Sequence, residues 1–193
     1  MLGLGRPPEA RYRAVEGITP RLQRILDVLE VSPALIRTAT WDVVAWNRAA
    51  SAVFGDYNKL EPLQRNILRL TFSNSRFRSA QPDWESVARF VVAAFRAETA
   101  RAGATENVMA LVAELSRISP EFVRMWKENE VRTHGGGTKQ LRHPAAGLIT
   151  LEYSAFAVDG RPDLTLVIYN PATSKDTDKV RKLLKSAPES DKK

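Results

Sequence analysis

Two alternating runs joined by Asp159-Gly160 most narrow what this chain can fold into. Residues 148–158 place Ile149, Leu151, Tyr153, Ala155 and Ala157 on one side, and Leu164-Thr-Leu-Val-Ile-Tyr169 returns. Alternation marks strands with one face turned to a core, and Asp-Gly is a strong hairpin turn. Residues 138–142 read as a shorter third strand. The preceding triplet Gly135-Gly136-Gly137 lacks the Gly-Lys-Ser/Thr ending of a phosphate loop and reads as a flexible connection.

Helices and a second hairpin come earlier. Leu22, Ile25, Leu26, Val28 and Leu29 recur at helical spacing until Ser32-Pro33. Ala34-Leu-Ile-Arg-Thr38 and Val43-Val-Ala-Trp46 flank a turn near residues 40–42, which predicts a hairpin. Asn47 is placed to cap a helix over 48–54, which Gly55 ends. Asp83 can cap a helix whose buried face is Trp84, Val87, Ala88, Val91, Val92 and Phe95, closed by Gly103. Thr105 starts another with Val108, Leu111, Val112, Leu115 and Ile118 inward. Ser119-Pro120 opens a third, with Phe122 and Trp126 one turn apart. Two strands, then helices, then three antiparallel strands predict one mixed sheet in a single α+β domain. Residues 1–20 read as a linker, 21–173 as the domain, and 174–193 as a basic flexible tail, at most a frayed helix.

The net charge of +7 raises the question of nucleic acid. Residues 1–24 and residues 174–193 each carry +3, leaving the body between them nearly neutral. A DNA-reading surface is a basic face on a folded element, so the charge pattern points to solvated ends. No apolar run approaches the roughly 18–20 residues a membrane helix needs, and no secretory signal is visible. Without cysteine, disulfides and thiolate metal sites are excluded, and cytoplasmic residence is the expectation.

Catalytic signatures are thin. The two histidines, His134 and His143, form no metal-ligand spacing, and no Gly-x-Ser-x-Gly elbow is present. No enzyme and no metal are therefore expected. Asn47 is either a helix cap or a ligand contact. Arg65 is either a surface arginine beside the capping Asn66, or an inward group that needs an anion, since an unpaired buried guanidinium is very costly. His143 is either bonded to backbone at a strand start or a ligand anchor. The aromatic residues fill the core or line a cavity between helices and sheet, where small ligands bind.

Several blocks occur in order: Trp41-Asp-Val-Val-Ala-Trp46-Asn47-Arg-Ala-Ala50, Phe54-Gly-Asp56, Arg65-Asn66-Ile-Leu-Arg-Leu-Thr-Phe72 and Leu111-Val-Ala-Glu-Leu115. Ser119-Pro-Glu-Phe122, Trp126, His143-Pro144 with Gly147, and the last strand complete the set. Together they resemble the ligand-binding domain of MmyB-like transcription regulators, the PAS-like domain that follows a helix-turn-helix in many bacterial regulators. The resemblance implies a five-stranded antiparallel sheet with several helices over one face. It also implies a cavity for a fatty acid or similar amphipathic molecule, with no other cofactor. Asn47, Arg65, Asn66 and His143 become its candidate polar contacts, and Trp46, Phe72, Phe122 and Trp126 its candidate apolar wall. Arg65 is the expected carboxylate anchor. The family's helix-turn-helix has no room here, so the chain is expected to be a piece cut from a longer regulator, or else a stand-alone sensor. Contact with DNA would run only through that missing module, and a homodimer is the expected assembly. The competing readings are a ligand-free dimerisation module of a regulator and, disfavoured by the missing acid–base pairs, an enzyme acting on a lipid-like substrate.

Overall fold

Pairing of the first strand with the last decides the architecture. In the computed structural model, which describes residues 18–102, 105–128 and 136–186, β1 (Ala34–Thr38) and β2 (Val43–Trp46) form the first hairpin. β3 (Gly136–His143), β4 (Gly147–Val158) and β5 (Arg161–Pro171) form a meander. β1 pairs antiparallel with both β2 and β5, giving one sheet of order β2-β1-β5-β4-β3. The fold is α+β and PAS-like.

β3 begins inside the glycine run instead of after it. A Cβ on Gly137 would lie 3.0 Å from the Tyr153 ring, so glycine there lets that ring lie against the strand. Gly136 and Gly137 are thus strand residues, not a flexible connection, while His134 and Gly135 lie outside the described residues.

Leu35 and Val167 face one side of the sheet, and Ile36 and Leu166 the other, as period-two alternation requires. The Leu35 side carries α2 (Arg48–Phe54), α3 (Ile67–Ser73), α4 (Ser75–Ala80), α5 (Trp84–Ala102), α6 (Glu106–Ile118) and α7 (Pro120–Lys127). Two short 3-10 turns, Tyr57–Lys59 and Pro62–Gln64, link α2 to α3. Side chains of Asn47, Asn66, Asn74, Thr105 and Ser119 accept backbone N–H bonds at helix starts, satisfying donors the helices leave open. The expected closure at Gly103 lies outside the described residues.

Two helices also depart from the sequence reading. α1 (Pro20–Asp27) packs Leu26 against Ala34, Ile36, Ala45 and Leu164, on the face opposite the other helices. With both faces covered there, all five residues of β1 are buried. The second is α8 (Ser174–Ser186), expected as part of a basic tail. It is a helix whose Val180 and Leu183 join Ala49, Val53, Leu141, Ile149 and Leu151 in one apolar cluster. Asp176 anchors its start by accepting from Thr150 N at 3.2 Å and from the Thr173 hydroxyl at 2.6 Å. Two or three apolar side chains on one stripe suffice to dock a charged helix, and the charge-rich composition obscured that stripe. The folded body therefore runs to Ser186, and residues 1–17 and 187–193 lie outside the described residues. Among the described residues, no helix is long and apolar enough to cross a membrane.

Candidate ligand-binding site

Between α2, α4, β3 and β5 the sheet is incompletely covered, and an open cleft of about 1340 Å³ remains. Its apolar wall comes from Leu35, Val53, Phe54, Tyr57, Leu60 and Ile67, with Leu70, Phe77, Leu141, Tyr169 and Leu183 completing it. Helix α2 is short because Gly55 ends it at φ 105°, which releases the chain into the 3-10 turns that form one side of the cleft. The other end is closed by α8.

Polar groups in this cleft are unevenly signed. Among the described residues, five Lys or Arg line it (Arg48, Lys59, Arg76, Lys139 and Arg142), against Asp56 as the single carboxylate. Lys139 lies on the floor. The strand register places it opposite Leu151, on the same side as Leu141, which faces Ile149. Its Nζ is 5.1 Å from the Phe54 ring centroid, 5.3 Å from Phe77 and 5.6 Å from Tyr169. Removal from bulk water pushes its pKa down to about 8, although the side chain keeps partial access to the cleft. Among the described residues it has no hydrogen-bond or ion-pair partner. Burial also pushes the Tyr169 phenol up to about 12 and the Tyr57 phenol still higher. Gln81, directly after α4, is 8% exposed, and its Oε1 is buried with no hydrogen-bond partner among the described residues. It too lines the cleft.

Of the eight residues expected to contact a ligand, only His143 lines this cleft. Its Nδ1 accepts from Ala145 N at 3.2 Å, and burial lowers its pKa, which favours the neutral imidazole over a cation. Asn47 is an internal brace. Its Oδ1 accepts from Ala34 N and Ala50 N, and its Nδ2 donates to the carbonyls of Leu26, Leu29 and Ser32. Asn66, fully buried, caps α3 through Leu68 N and Arg69 N and donates to Thr40 O and Asp42 Oδ1. Neither amide retains capacity for a ligand. Arg65 donates Nε to Leu60 O at 3.0 Å and lies over Trp46, with 5.5 Å to the ring centroid, behind the cleft wall. Trp46 in turn contacts Tyr57, whose ring is the actual lining group. Phe72, Phe122 and Trp126 belong to a separate core under α5, α6 and α7, where Phe122 stacks on Trp126 at 5.6 Å. Seven of the eight expected contacts therefore lie outside this cleft.

Lys139, Phe77 and Gln81 were missed. One signal could have found the lysine: within the alternation of β3 it occupies the face shared with Leu141. No such signal exists for Gln81, which follows α4 at a helix end. Among the described residues no group of three His, Asp or Glu side chains gathers to hold a metal.

An antiparallel sheet roofed by helices, with a cleft between the layers, defines a PAS-like ligand-binding module. The chain belongs to the family of MmyB-like transcription regulator ligand binding domains, whose model matches residues 18–184. It is thus a ligand-sensing domain of the transcription-regulator type. A search of curated proteins found no match.

Proposed function

We propose that this domain senses a small amphipathic molecule, such as a fatty acid, bound in the cleft between α2, α4 and the sheet. The observation that carries this reading is a large cleft with an aromatic and aliphatic wall. At about 1340 Å³ it exceeds the roughly 300–1,000 Å³ usual for small-ligand sites, so it has room for an extended chain. Each buried methylene would contribute about 0.8 kcal/mol, enough for micromolar affinity after ordering costs. Regulation follows only if the ligand binds two conformations unequally. The element best placed to differ is α4, which borders the cleft and buries none of its own residues. In a full-length regulator, a cytoplasmic homodimer would pass that difference to attached helix-turn-helix modules, which alone would touch DNA.

A ligand-free dimerisation module is the second reading, favoured by the half-exposed Phe156 and Leu148 on the sheet. Organic extraction of freshly purified protein, followed by mass spectrometry, separates the two. The sensor reading expects a recovered lipid near one equivalent and a rise in Tm when a fatty acid is added to stripped protein. Empty protein that no lipid probe stabilises would overturn it in favour of the dimerisation module.

A further inference from the structure

We propose that Lys139 is the anion-binding group of the cleft, and that the ligand it selects is a carboxylic acid carrying a hydrogen-bond donor for Gln81. This rests on the reading of the cleft as a lipid-type pocket and specifies which lipid chemistry fits.

The floor position of Lys139 calls for an apolar residue. Its neighbours across the register and along the strand, Leu151, Leu141 and Ile149, are all buried. Methionine would fit such a position without desolvating a charge. Three rings within 5.6 Å offset part of that cost through cation–π attraction. Ring faces do not replace hydrogen bonds for the three N–H donors of an ammonium, and among the described residues Nζ makes none, to the Tyr169 hydroxyl or to any other group. A carboxylate over the cage would provide one, and the excess of cations around the cleft favours an anion approaching it. A charged group held at a position where an apolar one would be more stable is the mark of a functional residue. The lowered pKa agrees with this: the free lysine gains from any partner that stabilises its protonated form.

Gln81 makes an independent demand. It follows Phe77 by one helical turn, and the Phe77 ring covers Lys139, so both polar groups belong to the same end of the cleft. An unpaired buried acceptor is costly, and a carboxylate cannot satisfy it because it has no proton to give. A hydroxyl or an amide N–H on the ligand can. The class that satisfies both groups is a hydroxylated or N-acyl-type carboxylic acid with an apolar tail.

The test uses the full chain, stripped of lipid and titrated calorimetrically with dodecanoic acid, its 3-hydroxy derivative and dodecanol. The expected order of affinity is hydroxy acid, then acid, then alcohol. Lys139→Met should weaken both acids by about tenfold or more while leaving dodecanol within about twofold, and Lys139→Arg should restore part of the loss. Gln81→Leu should remove only the advantage of the hydroxy acid. Lys139→Gln serves in place of the methionine variant if the latter fails to fold. Equal losses for acid and alcohol in the Lys139 variants would reduce the lysine to a wall residue and overturn the proposal. An unchanged hydroxy-acid advantage in Gln81→Leu would overturn the part assigned to Gln81. Binding of dodecanol as tight as that of the acids would sink the proposal but keep the lipid pocket. Failure of the intact protein to bind any of the three would sink both.

Discussion

Asn47 and Lys139 are opposite uses of a buried polar side chain. Asn47 has all of its hydrogen-bonding capacity engaged, holding α1, the start of β1 and the start of α2 together through backbone groups. Removing it leaves several buried carbonyls and amides without partners at once. Asn47→Ala should therefore cost about 2–4 kcal/mol, more than the ~1 kcal/mol of a lost helix cap. Urea titration checks this; a loss near 1 kcal/mol would mean that the cap alone matters. Lys139, by contrast, has its polar end unmatched, which is tolerable only beside a cleft that another molecule can enter. Satisfaction by backbone reads as architecture, and its lack beside open space reads as recognition.

Elements are tied across layers by charged pairs more than by caps. Arg37 of β1, with its side chain only 5% exposed, makes a two-pronged contact at 2.8 Å and 2.8 Å with Glu98 of α5. The same carboxylate accepts from Trp41 Nε1 at 2.8 Å, and the guanidinium lies 4.1 Å from that ring. Trp41 holds φ 64°, a left-handed backbone conformation unfavourable for a bulky residue. The packing of its ring against Phe95 and its bond to Glu98 hold it there. A similar bridge joins Arg69 of α3 to Glu114 of α6, at 2.8 Å and 2.7 Å. Its donors hold the Glu114 carboxyl below the usual range. Glu98→Ala would leave a buried guanidinium uncompensated and release the strained turn. It should destabilise the fold by about 3 kcal/mol, whereas replacing a buried pair by apolar residues can be neutral. A shift in denaturant midpoint well below that would show that water reaches Arg37.

The titrating groups around the cleft give the whole molecule an unusual alkaline profile. Lys139 binds its proton less tightly folded, at about 8, than at its ordinary 10.5. Between those values the unfolded chain carries more protons, so the penalty present at neutral pH is relieved and stability rises with pH. Tyr169, pushed up to about 12, and Tyr57 act in the other direction. Above pH about 10 the unfolded chain loses phenolic protons that the folded one keeps, and stability falls. Urea midpoints measured from pH 7 to 11 should rise and then drop. Lys139→Met should be more stable at pH 7, lose the rise and keep the drop. A rise that survives the substitution would mean that another group carries it.

Local pattern was enough to define most of the elements, because alternation, helical spacing and capping residues act over a few positions. The β4–β5 hairpin, the helix starts at Asn47, Thr105 and Ser119, and the α+β class all follow from such signals. The family blocks marked the fold for the same reason that Asn47 and Asn66 are where they are: these residues build it. What sequence order could not decide was which layer each side chain would enter. Tertiary packing set Arg65 against Leu60 and Trp46, outside the cleft lining, and put Phe122 and Trp126 in a separate core. The same packing folded α8 onto the sheet and left a lone ammonium on the floor of a cleft. Burial is a property of the packed whole, and so the cleft became visible only once the layers had closed.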